Sequence, residues 1–161
     1  DNLIDRQVTV VERGRMLKLL AARNGFKLYT NSDTSEYPEV NNCGSVDYYT
    51  EMPKVFRCSD ININTTLRSI RSGIPLRVLD VIASGGFVLT NAQPEMDIFF
   101  KDGESIATFQ SLDEMNEKID YYLSHDEERR KIITNGYEVI KNKFDYKVRL
   151  SEIFVQISNG E

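Results

Sequence analysis

A chain of 161 residues with 40% hydrophobic content can bury one full core, and a mean hydropathy of -0.40 fits a protein in contact with water. The net charge of -5 argues against a broad nucleic-acid surface, which needs a basic excess along one face, so any anionic ligand must be held locally. Two cysteines, Cys43 and Cys58, and one histidine are too few for a disulfide framework or a structural zinc site.

No apolar run reaches the roughly 18 to 20 residues that cross a bilayer, and no basic-then-apolar leader opens the chain. No transmembrane segment and a cytoplasmic location are therefore expected. Because Asp1 rather than Met comes first and a helical pattern starts almost at once, the chain is expected to be one domain, 1–161, cut from something longer.

Residues 6–23 place Val8, Val11, Met16, Leu19 and Leu20 at helical spacing despite Gly14, and Asn24-Gly25 stops the pattern. FKLYT (26–30) then predicts a short strand, 31–44 a polar loop interrupted by Pro38, and 45–49 a weaker strand. A short helix near 51–58 precedes a strand at 60–65, where Ile61 and Ile63 share a face. Pro75 is expected at the first position of a helix that buries Leu76, Leu79, Val81 and Ile82 and ends at Gly85-Gly86.

Phe87-Val88-Leu89 is continuously apolar, as in a strand covered on both faces. A strand at 105–109 follows, then helices near 112–123, 125–142 and 145–158. Ser111 with Glu114 and Ser124 with Glu127 both match the capping-box spacing. This order predicts a three-layer α/β fold, a mostly parallel sheet of about five strands with helices on both faces. Ligands bind such sheets at the carboxyl ends of the strands, which makes the loops after Thr30, Tyr49, Asn64 and Asn91 candidates.

The stretch SGIPLRVLDVIASGGFVLTN (72–91) holds the densest chemistry. Free amides around Gly73 and Ile74 at a helix start make a seat for a phosphate, and Arg77 in the first turn, with Arg68 and Arg71 nearby in sequence, adds charge-assisted donors. Asp80, one turn on, can accept two hydrogen bonds from a ribose diol, each worth about 1.5 to 3 kcal/mol. Phosphate plus ribose reads as a nucleotide. The same spacing also suits a plain i,i+3 surface pair worth a few tenths of a kcal/mol, roughly 0.2 to 0.5.

From about 45 to 155 the chain resembles the carboxyl-terminal half of GT-B glycosyltransferases, most closely the CgeB-like (spore maturation) branch of bacterial sugar transferases. The residues that carry the likeness are DININTTLRSIRSGIPLRVLDVIASGGFVLTN and DIFFKDGESIATFQSLDEMNEKIDYYLSHDEERRKIITNGYEVIKNKFDYKVRLSEIF. The resemblance implies a Rossmann-like domain and a hexosyltransferase-like activity. It also implies a nucleoside-diphosphate sugar donor such as a UDP-sugar, with no metal cofactor. In that superfamily a helix with an E-x7-E pattern holds the donor.

Asp80 falls at the second position of that pattern, for the ribose, and Ser72 at the first, where a glutamate would reach the sugar. Gly73 and Ile74 match the amide-donating turn and Arg77 the arginine of this branch, while Tyr49 and Asn64 are candidate base or loop contacts. Asp80 is one methylene shorter than the family's glutamate, and Ser72 brings no charge. The acceptor site is expected from an amino-terminal half absent from this chain, so this segment alone is not expected to transfer sugar. No catalytic residue is assigned within it.

Two alternatives stay open. One is a non-catalytic scaffold of the same fold, which the Ser72 departure permits. The other is a receiver-type signalling module, whose phosphoacceptor aspartate has only Asn64 as counterpart. G-x-G-x-x-G and G-x-x-x-x-G-K-[ST] are both missing, which argues against dinucleotide and P-loop binders. His125 is expected at the surface, Tyr48, Tyr49, Tyr121 and Tyr122 chiefly as packing residues, and the acidic run 113–120 as a solvated helix face.

Overall fold

The computed structural model describes residues 2–66 and 73–159, and Ser72, Arg68 and Arg71 lie outside these. In chain order the described elements are α1 (Asn2–Ala21), α2 (Met52–Cys58), β1 (Asn62–Asn64), α3 (Leu76–Ala83), β2 (Val88–Asn91), β3 (Ala107–Phe109), α4 (Leu112–Ser124), α5 (Asp126–Lys143) and α6 (Tyr146–Asn159). The strands form one parallel sheet in the order β1-β2-β3, with Ile63 opposite Leu89 and Leu89 opposite Ala107.

Successive side chains of a strand point to opposite faces, and this splits the core in two. Phe87 and Leu89 join Ala107, Phe109, Leu20, Met115 and Ile119 on one face. Val88 and Ile106 join Phe56, Val78, Val81 and Ile82 on the other. The continuous apolar run at 87–89 is thus covered on both sides, and burying each of Phe87 and Leu89 stabilises the fold by roughly 1.5 to 3 kcal/mol. Among the described side chains of α1, Leu20 is buried in this core with Met16 packed beside it, while Val10 and Val11 stay exposed.

The expected strands at 26–30 and 45–49 do not join the sheet, which has three strands among the described residues rather than about five. Leu28 makes one parallel bridge to Asn42: its N–H donates to the Asn41 carbonyl at 2.9 Å and its carbonyl accepts the Cys43 N–H at 2.8 Å. Alternation of side chains is a local property, but a strand also needs a long partner edge. The 41–43 segment offers that edge to FKLYT for a single residue.

The Ser111 cap forms as its spacing predicts, accepting the Glu114 N–H at 3.1 Å, although the Glu114 carboxylate takes the N–H of Gln110, at 2.8 Å, rather than that of Ser111. The second box does not form. His125 alone separates α4 from α5, and the Ser124 hydroxyl is claimed by the helix it ends, donating to the Asp120 and Tyr121 carbonyls at 3.1 and 2.8 Å.

α3 ends on the double glycine. Gly85, at φ 76°, donates to the Ile82 carbonyl and Gly86 to that of Val81, both at 3.0 Å, so the last carbonyls are satisfied by a Schellman turn. A Cβ on Gly86 would lie 2.6 Å from the Phe56 carbonyl oxygen, so only glycine lets α2 come this close to the start of β2. Asn62 seals the junction, its Nδ2 donating to the Phe56 and Phe87 carbonyls at 2.8 and 3.0 Å.

Candidate functional site

The crossover β1-α3-β2 joins parallel strands, so α3 runs back against them and its amino end lies at the carboxyl edge of the sheet. At that edge the Thr66 N–H donates to Asn91 Oδ1 at 2.6 Å, tying the exit of β1 to the end of β2. Gly73 then takes φ 97°, in the left-handed region, and stays exposed. Ile74 turns inward against the second core cluster.

Pro75 sits one position earlier than its sequence predicts. With ψ 130° it is the N-cap of α3, and Leu76 is the first helical residue. Leu76 is 75% exposed rather than buried, and Val78 takes an inward position that the sequence pattern does not assign. Proline has neither a side-chain acceptor nor an N–H, and among the described residues no side chain caps α3. The Val78 N–H turns back to the Pro75 carbonyl at 2.9 Å, and among the described residues the Leu76 and Arg77 N–H groups meet no acceptor, at the positive end of the helix dipole.

Arg77 and Asp80 leave α3 on consecutive turns but do not pair with each other. The Arg77 guanidinium lies over the Phe56 ring, 5.6 Å from its centroid. Half-buried Asp80 accepts the Tyr48 hydroxyl at 2.6 Å on Oδ2. That hydrogen bond, with a smaller contribution from desolvation, holds the Tyr48 phenol above its ordinary value, so it stays a donor.

A cleft of about 990 Å³ follows the free edge of β1, with Arg23, Thr30, Phe56, Asn64, Thr65 and Arg77 among its walls. Asp80, Tyr48 and Tyr49 are not among them, so the two charged groups of α3 reach different surroundings. Asn64 is engaged inside the sheet, its Nδ2 donating to Thr90 Oγ1 at 2.9 Å. Tyr49 is 83% exposed and meets Tyr48 edge-on at 5.3 Å between centroids. Of the tyrosines expected to pack, Tyr122 alone is buried; Tyr121 stays at the surface with its hydroxyl on Glu128.

Sequence reasoning missed the turn before α2. Asp47 Oδ1 accepts the Tyr49 and Thr50 N–H groups at 3.1 and 2.7 Å and the Thr50 hydroxyl at 2.7 Å, and Glu51 Oε2 accepts the Asp47 N–H at 2.9 Å. The signal lies in the spacing of Asp47, Thr50 and Glu51, a helix-start pattern one residue longer than the usual box. The bond from Tyr48 to Asp80 spans 32 residues and leaves no local trace.

Cys43 and Cys58 are free and exposed. Among the described residues no three His, Cys, Asp or Glu side chains are grouped to hold a metal ion, and no helix is long and apolar enough to cross a membrane.

The fold recurs in solved structures. The C-terminal domain of LpcC, a glycosyl transferase group 1 family protein from Francisella tularensis, matches with a TM-score of 0.55 at 24% identity, covering 67% of this chain and 55% of that one. HepE from Anabaena, crystallised in complex with UDP and glucose, matches at 0.71 and 12% identity over 91% of this chain and 44% of its own. TarM matches at 0.68 and 14% identity over 87% and 30%. The three-layer α/β architecture is that of GT-B carboxyl-terminal domains.

An uncharacterized protein of Aquifex aeolicus (strain VF5) is 25% identical over 117 residues, which are 71% of this chain and 29% of that relative's length. The family of glycosyl transferase-like domains matches residues 6–154, and the chain belongs to that family.

Proposed function

We propose that this domain holds the nucleotide of a nucleoside-diphosphate sugar donor and serves as the donor half of a glycosyltransferase of the CgeB-like branch, acting on the cytoplasmic side. The diphosphate lies against the amides of Gly73, Ile74, Leu76 and Arg77 and the Arg77 guanidinium, and the ribose hydroxyls bind Asp80. A single observation carries this reading. A helix start at the carboxyl edge of a parallel sheet has no side-chain cap among the described residues, follows a left-handed glycine, and bears a guanidinium and a carboxylate on its first two turns.

Such a start suits the leaving group. As the bond from the anomeric carbon to the diphosphate oxygen breaks, its electron pair stays on the diphosphate, and fixed N–H dipoles with Arg77 stabilise that charge. The acceptor hydroxyl then bonds to the anomeric carbon, and its proton leaves to a base on the other half of the enzyme. That half supplies the acceptor site. HepE, of like fold, was crystallised with UDP and glucose, which favours a uridine nucleotide. The receiver alternative has Asn64, an amide rather than an acid, at the end of β1.

Melting temperature measured with UDP, GDP, ADP, TDP and NAD tests the reading. A ligand at about 100 times its Kd adds roughly 2.7 kcal/mol of stability, a shift of several degrees. One nucleoside diphosphate is expected to give that shift, and Asp80→Ala to abolish it. No shift with any of them would leave the non-catalytic scaffold.

A further inference from the structure

Resting on that reading, we infer that Tyr48 is a positioning residue for Asp80, and that the rigid turn bearing it makes the site selective for ribose over deoxyribose. The bond from Tyr48 Oη to Asp80 Oδ2 is 2.6 Å long. A carboxylate has about four lone-pair sites. The phenol takes one of these, which stops rotation of the carboxylate and leaves Oδ1 free for two neighbouring hydroxyls. Because the phenol stays a neutral donor, it orients Asp80 without cancelling its charge.

The turn is built to hold that phenol still. Four hydrogen bonds to Asp47 and Glu51 side chains lock 47–51. The Glu51 and Met52 N–H groups also both donate to the Asp47 carbonyl, at 3.1 and 2.9 Å. The turn leads into α2, whose Phe56 is buried in the second core cluster and lies under Arg77. One segment, 47–56, therefore orients both charged groups of α3: the carboxylate through a phenol, the guanidinium through a ring face.

A carboxylate free to rotate meets a diol in the right pose only part of the time, so losing the hydroxyl weakens ribose binding selectively. Titrations of Tyr48→Phe and the unsubstituted protein with the pairs UDP and dUDP, ADP and dADP, and GDP and dGDP test this. In the unsubstituted protein the pair that binds is expected to show a ribose preference of roughly tenfold, falling to about twofold in Tyr48→Phe because the ribose Kd weakens more than the deoxy Kd, whose ligand keeps one hydroxyl.

A cooperative melting transition of the unliganded variant reports that it is folded. If both affinities fall by the same factor, the hydroxyl does not set the ribose preference and the inference is wrong. If Tyr48→Phe keeps the full preference while Asp80→Asn loses it, the ribose role of Asp80 stands and the role of Tyr48 falls. If no pair binds the unsubstituted protein, the nucleotide reading itself fails and takes this inference with it.

Discussion

The two ends of α3 are built on opposite terms. At the carboxyl end every device closes the helix: Gly85 and Gly86 satisfy the last carbonyls, Gly86 lies against the Phe56 backbone, and Asn62 bonds both neighbours. At the amino end none of the described residues closes it. Pro75 offers no acceptor, Leu76 and Gly73 are exposed, and no side chain among them caps the first turn. Eight residues thus hold one end that is closed by its neighbours and one that no described side chain caps.

Damage to the closed end should destabilise the fold most. Gly86→Ala places a Cβ 2.6 Å from a backbone oxygen that cannot swing away. A loss of about 3 kcal/mol is expected from such overpacking, seen as a lower urea midpoint with an unchanged m-value. Nucleotide affinity of the fraction still folded should hold.

The open end should respond in the opposite sense. Pro75→Asp supplies the missing cap, which adds about 0.5 to 1 kcal/mol to the stability of the unliganded protein, less what is lost with the rigid proline. The new carboxylate takes the donors proposed here for phosphate, so nucleoside diphosphate affinity should fall roughly tenfold or more. Calorimetric titration beside a melting curve reads both effects. A variant that gains a cap and binds the nucleotide unchanged would place the anion elsewhere.

The smallest effect tests the contrast at a distance, at the start of α4, a helix end that is capped. There the Gln110 N–H, aided by Lys118, holds the Glu114 carboxyl below its ordinary value. A depressed folded pKa means stability that is present above the unfolded value and lost as pH falls through the folded one. Urea midpoints of Glu114→Gln and the unsubstituted protein should therefore differ at about pH 6, with the difference shrinking as the pH is lowered below the ordinary carboxylate range. At the higher pH the difference should not exceed about 1 kcal/mol, because the carboxylate is partly exposed.

Much of the fold is legible in local stretches of the chain. Val88 and Leu89 sit in an unbroken apolar run that suits a strand covered on both faces, and Ser111 with Glu114 marks a helix start to the residue. Where the local signal misleads, a neighbour intervenes. Ser124 loses its capping role because α4 takes its hydroxyl, and FKLYT loses its strand because the partner edge lasts one residue. The candidate site divides in the same way. Arg77 and Asp80 are visible as a pair on one turn, but their separation onto Phe56 and Tyr48 is not.

The sequence by itself determined the order of the α-helices and where the central strand runs, because each depends on residues within a turn or two of one another. Only the tertiary structure decided that Tyr48 meets Asp80 and that Arg77 lines the cleft while Asp80 does not. Those contacts depend on how α2 packs against α3, and that packing is set by a core drawn from the whole chain.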